Sequence, residues 1–158
     1  MIQRIQSVYL AIAAIALLVL YFFPVASFFS EFSYCKLYIT HLVSLTPGVD
    51  PVISNTLIMP LGVFNGITAI IAFVSIFIYK KRLLQAKMVK LCILMTVVLI
   101  SLIFFVYSPL VSRSLRTEAN FVDGYGLYFI LIAFLMFVLA NRGIMKDERL
   151  VRSADRLR

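Results

Sequence analysis

At 158 residues the chain has the length of one ordinary domain, but 63% of it is hydrophobic and only 14% is charged, with a mean hydropathy of +1.03. A soluble domain of that size has too little interior to hide so much apolar surface, so hydrocarbon is the expected solvent for much of it. The 15 Lys and Arg outnumber the 7 Asp and Glu, giving a net charge of +8; on an apolar chain such an excess orients the protein and meets anionic lipid, and nucleic acid is not an expected partner.

A helix needs about 20 mainly apolar residues to cross the hydrocarbon core, and four segments approach that length. The first, SVYLAIAAIALLVLYFF over residues 7–23, ends at Pro24. Its apolar run is longer than the roughly 7–15 residues of a signal peptide, so it is expected to be a retained helix even though VAS at 25–27 faintly resembles a cleavage site. The second span covers 61–79 and is expected to open at Pro60, where a first-turn proline is tolerated. The third covers 91–107 and is expected to stop before Pro109. The fourth covers 125–140. None of the four contains Asp, Glu, Lys, Arg or His.

Between the first two spans, YCKLYITHLVSL alternates with a period of two, placing Leu37, Ile39 and Val43 on one face and Lys36, Tyr38 and Thr40 on the other. TPGVDP then supplies turn chemistry, and VISNTL can return as a second strand. This predicts a β-hairpin over about residues 33–57, and the loop at 112–124 can contribute a further short strand. The expected fold is an all-α membrane protein, a four-transmembrane-helix bundle with a small extracytoplasmic β-hairpin between helices 1 and 2. It forms one domain over residues 1–158 with a tail at 141–158.

Orientation follows from the cations flanking the spans. Arg4, then Lys80, Lys81, Arg82, Lys87 and Lys90, then Arg142, Lys146, Arg149, Arg152, Arg156 and Arg158 fall on one side. The other side has Lys36, Arg113 and Arg116, offset by Glu31, Asp50, Glu118 and Asp123. The positive-inside rule places both termini and the middle loop in the cytoplasm.

Candidate sites are few. Gly62 and Gly66 have the small-xxx-small spacing that lets helices approach closely in lipid, and Asn65 between them needs a hydrogen-bond partner in hydrocarbon. These three residues are expected to serve helix packing, with a ligand near Asn65 as the alternative. The absence of charge within the spans disfavours ion or proton transport. His41, the single histidine, is expected at the surface rather than on a metal or haem. Cys35 and Cys92 are not spaced as a metal or redox pair and are not expected to pair with each other. Paired-cysteine, phosphate-loop and nucleophile-elbow signatures are all missing, so no catalytic residue, cofactor or metal is expected and the chain does not read as an enzyme.

A helical tail would set Leu150, Val151, Ala154 and Leu157 along one stripe and Arg149, Arg152 and Arg156 on another face. Those arginines are the expected contact with headgroups or with a cytoplasmic partner. Expected partners are membrane lipids and other membrane protein subunits.

The opening MIQRIQSVYLAIAA and the ending LANRGIMKDERLVRSADRLR, joined by four spans at this spacing, resemble a bacterial family of small integral membrane proteins, domain of unknown function 4293. The resemblance extends over essentially the whole chain and implies a four-span protein of the bacterial inner membrane. It supplies no catalytic residues. The layout, with an outer β-element after the first helix, is also similar to that of claudins. The function expected from these readings is that of a non-enzymatic accessory or assembly subunit of a membrane complex, with a small carrier for a lipid-like molecule as the alternative.

Overall fold

The computed structural model describes residues 3–29, 34–46, 53–79, 81–114 and 120–156. Helix α1 runs over Gln3–Val19 and closes in a 3-10 turn, Leu20–Phe22. Strands β1 (Ala26–Phe29), β2 (Tyr34–Leu37) and β3 (Leu42–Ser44) follow, then helices α2 (Asn55–Phe77) and α3 (Arg82–Leu102). A π turn, Ile103–Tyr107, leads from α3 into α4 (Ser108–Ser114), and β4 (Asn120–Asp123) precedes the long α5 (Tyr125–Arg156). Among the described residues four helices are long and apolar enough to cross a membrane: Ile5–Phe22, Asn55–Phe77, Arg82–Arg113 and Tyr125–Leu150.

These helices close into a ring in which α1 packs on α2 and α5, and α3 packs on the same two. The interior is aliphatic and closely spaced. Leu10, Ala13, Leu17, Ala72, Val89, Ala133, Phe137 and Ala140 are all fully buried, and alanines at the crossings let the helix axes approach. The outer surface is as apolar as the inside: Ile15, Val63, Ile70, Phe73, Leu94, Phe105 and Leu135 are each more than half exposed. Helices that are hydrophobic all round fit a lipid solvent.

The helix ends depart from the expected boundaries for identifiable reasons. Ser54 accepts a hydrogen bond from the Thr56 amide and caps α2 six residues ahead of the expected start. Pro60 therefore lies inside α2, where its missing N–H and its ring disturb the preceding turn. One of the carbonyls in that turn, Leu57 O, accepts a hydrogen bond from Tyr107 Oη at 3.0 Å. Pro109 does not terminate the third span: the π turn just before it widens the helix and lets the chain continue into α4. The segment set apart as a tail is no separate element, because α5 continues unbroken to Arg156. Its 32 residues correspond to about 48 Å at 1.5 Å per residue, which exceeds a hydrocarbon core of about 30 Å.

The β-element is a four-stranded antiparallel sheet of order β3-β2-β1-β4, larger than the expected hairpin. Residues expected to form one strand turn back on themselves at Tyr38–His41, where the Tyr38 amide donates to His41 O at 2.9 Å. That turn shifts the alternation: Leu37 and Ile39 are buried as expected, but Val43, expected on the same face, is exposed and Leu42 is buried in its stead. Of the expected return strand VISNTL, Asn55, Thr56 and Leu57 instead form the first turn of α2, and Val52 lies outside the described residues. Ser54 caps that helix, and Asn55 Oδ1 accepts from the Leu42 amide at 3.1 Å. Most of TPGVDP lies outside the described residues. The strand expected from the loop at 112–124 is present as β4. The central strand β1 was not anticipated; its Ala26 and Phe28 are fully buried and anchor the sheet on the bundle.

Pairing of β1 with β4 brings the end of α1 and the start of α5 together. The helices consequently alternate in direction, with the sheet at one end and the α2–α3 connection at the other.

Candidate functional sites at the two ends of the bundle

Asn65, Thr68 and Ser75 are buried polar side chains along α2. Asn65 is fully buried, and its Nδ2 donates to Leu17 O on α1 at 2.9 Å. Tyr21 Oη donates to Gly62 O at 2.6 Å. A Cβ on Gly66 would stand 3.0 Å from that tyrosine oxygen. Gly62 itself faces the sheet: a Cβ there would lie 2.6 Å from Thr40 Cγ2 and 3.2 Å from Ile39 O. The two glycines thus admit different neighbours, the β2–β3 turn at Gly62 and the end of α1 at Gly66. Asn65 Oδ1 is buried with no hydrogen-bond partner among the described residues.

Two further glycines seat the beginning of α5. A Cβ on Gly124 would collide with Pro24 O and stand 2.7 Å from Val25 C, and one on Gly126 would stand 2.8 Å from Pro24 O. Their amides donate to Val25 O at 3.0 Å and Pro24 O at 2.8 Å. Backbone meets backbone here, without a side chain between.

The sheet's outward face has a groove of about 360 Å³, whose lining includes Ser27, Phe29, Tyr34, Lys36, Val122 and Tyr125. Phe29 stacks on Tyr34 with centroids 4.3 Å apart, and Lys36 Nζ lies 5.5 Å above the Tyr34 ring. His41 stacks on Tyr38 at 4.7 Å, with Nδ1 2.8 Å from Thr40 Oγ1. Among the described residues no three His, Cys, Asp or Glu side chains come together as a metal site. Of the outer carboxylates, Asp123 ends β4, while Glu31, Asp50 and Glu118 lie outside the described residues. Cys35 and Cys92 are buried free thiols. Burial pushes the Cys35 thiol above its ordinary value of 9.0, partly offset by Ser44, so it is a poor nucleophile.

At the opposite end, Gln6 Nε2 donates to Asp147 Oδ2 at 2.6 Å, with both residues buried. Gly143 lies beside this pair, since a Cβ there would be 3.0 Å from Gln6 Cγ. Sequence reasoning passed over this link because Asp147 was read as a tail charge. The signal was present: Ala133, Phe137, Ala140, Ile144 and Asp147 recur at three- and four-residue steps and form the buried face of α5.

The opposite face of α5 carries Arg142, Lys146 and Arg149, all exposed. With Met145 and Leu150 they line a groove of about 480 Å³. Among the described residues none of the three cations has an ion pair. Arg152 and Arg156 continue the same helix, but their side chains lie outside the described set. Arg142 and Lys146 belong to the cationic face that sequence reasoning had centred on Arg149, Arg152 and Arg156.

No curated protein matches the sequence. The profile of one family matches residues 2–157, nearly the entire chain, and on that match the protein belongs to the family described as Domain of unknown function (DUF4293).

Proposed function

We propose that the chain is a multi-pass protein of the bacterial inner membrane, with both termini and the α2–α3 connection in the cytoplasm. On this reading it has no enzymatic chemistry of its own and serves as an accessory or assembly subunit of a larger membrane complex. The observation carrying the reading is the contrast between centre and ends. Aliphatic and small side chains fill the centre of the bundle, while a grooved sheet stands at one end and a cationic helix face, without an ion pair among the described residues, at the other. Ion and proton pathways need compensating groups within the membrane, and the apolar runs 7–23, 61–79, 91–107 and 125–140 contain no Asp, Glu, Lys, Arg or His. Extraction in a mild detergent after cross-linking in cells tests this. The expected result is a reproducible protein neighbour attached through the sheet or α5; recovery of the chain alone as a monomer would contradict it.

A second reading is a small carrier or binding protein for a neutral hydrophobic molecule. It is favoured by the apolar groove of about 440 Å³ along α2, lined by Thr56, Met59, Pro60, Val63, Phe64 and Ile67, and, on the buried face of the same helix, by Oδ1 of Asn65, which has no partner among the described residues. Against it, the Asn65 amide group is already engaged with α1. Unchanged retention of co-purifying hydrophobic molecules by an Asn65→Leu variant would remove this reading.

A further inference from the structure

The cations on the outer face of α5 form a patterned surface. Arg142, Lys146 and Arg149 recur at steps of four and three, so they stack on one helix face over about 10 Å of axis. Of the two neighbouring acids, Asp147 is turned into the bundle and bonded to Gln6, and Glu148 does not line the groove, which leaves it cationic. Met145 and Leu150 give it apolar flanks. The fourth apolar run ends at Ala140, so a span seated there puts Arg142 at the hydrocarbon boundary and Arg149 about two turns beyond it.

From this geometry we propose that the Arg142–Lys146–Arg149 groove is a binding site for a membrane phospholipid whose headgroup carries two phosphates, held with its acyl chains along the lower part of α5. Guanidinium groups bind phosphate oxygens through paired N–H donors, and the lysine between them adds a point charge. A headgroup with one phosphodiester compensates a single charge of the three. Two phosphates joined by a short linker can engage successive turns of the helix, and Met145 and Leu150 give the headgroup apolar flanks. This inference rests on the membrane placement given under Proposed function.

Native mass spectrometry of the full-length protein in detergent, loaded with diphosphatidylglycerol or with phosphatidylglycerol at equal charge, tests it. The expected result is retention of one diphosphatidylglycerol in preference to phosphatidylglycerol. Retention should fall about fivefold for each of Arg142→Gln, Lys146→Gln and Arg149→Gln, with unfolding temperature unchanged because these side chains are exposed. The Arg142→Lys/Arg149→Lys double variant, which keeps charge but loses the guanidinium forks, should retain less than the wild type and more than the triple glutamine variant. Equal retention of the two lipids would overturn the two-phosphate assignment, and equal retention by wild type and triple variant would overturn the site. Binding of inorganic pyrophosphate with no retention of either lipid would replace the lipid with a free anion and so also overturn it. The measurement does not depend on which way the protein faces: lipid preference in a protein with reversed topology would sink the orientation and leave the site, while the correct topology without lipid preference would do the reverse.

Discussion

The two ends of the bundle are built by different means. At the sheet end, backbone packs directly on backbone and polar groups are tied in pairs: Gly124 and Gly126 against Pro24 and Val25, Tyr21 on Gly62, Tyr107 on Leu57. At the other end the side-chain hydrogen bond from Gln6 to Asp147 joins the first helix to the last, and the cations on the far side of the last helix have no ion pair among the described residues. Backbone contacts tolerate no added atoms, whereas long flexible side chains adjust. The sheet end is consequently expected to be rigid and the α5 end adaptable.

Substitutions can break or sharpen this contrast, and thermal unfolding of the purified protein in detergent reads all of them. The largest effect is expected from Gly124→Ala, whose methyl group would enter the Pro24–Val25 backbone; a loss of about 3 kcal/mol follows from overpacking with nothing able to yield. Gln6→Ala should come next, at about 1–3 kcal/mol, because it leaves the buried Asp147 carboxyl without its donor. Asn65→Ala removes the bond to Leu17 O but also the unpartnered Oδ1. A loss of about 0.6 kcal/mol, ordinary for a hydrogen bond between membrane helices, is expected. Gly143→Ala should have the smallest effect: its methyl meets only the Gln6 side chain, and the better helix propensity of alanine, worth up to about 1 kcal/mol, offsets the crowding. Equal costs at Gly124 and Gly143 would abolish the proposed difference between the ends.

The helices were legible from sequence because uncharged apolar runs leave little choice in lipid, and their existence depends on composition rather than on any one contact. Their boundaries were less so. Pro60 and Pro109 read as punctuation by local rules, yet a cap at Ser54 and a π turn at Ile103–Tyr107 carry the helices past them. The sheet was the least legible part. Strand β1 is four residues long and pairs with β4, almost a hundred residues further along the chain, and no local period encodes such a partner. In β2 and β3 the alternation was read correctly as strand, but it ran through a turn closed by Tyr38 and His41, which reversed the face of everything after it. Among candidate site residues, Asn65 was visible as an amide in an apolar run. Asp147 was missed because its charge outweighed its place on a buried helical stripe.

On the proposed topology the two ends face different compartments. Introducing Lys36→Cys and, separately, Lys87→Cys into a chain with Cys35→Ser and Cys92→Ser, then treating intact cells with a membrane-impermeant maleimide, tests it most directly. Both positions are outside the helical centre, one in β2 and one near the start of α3. The account predicts that position 36 labels from outside and that position 87 labels only after the membrane is opened. Labelling of position 87 in intact cells, or protection of position 36 there, would contradict it.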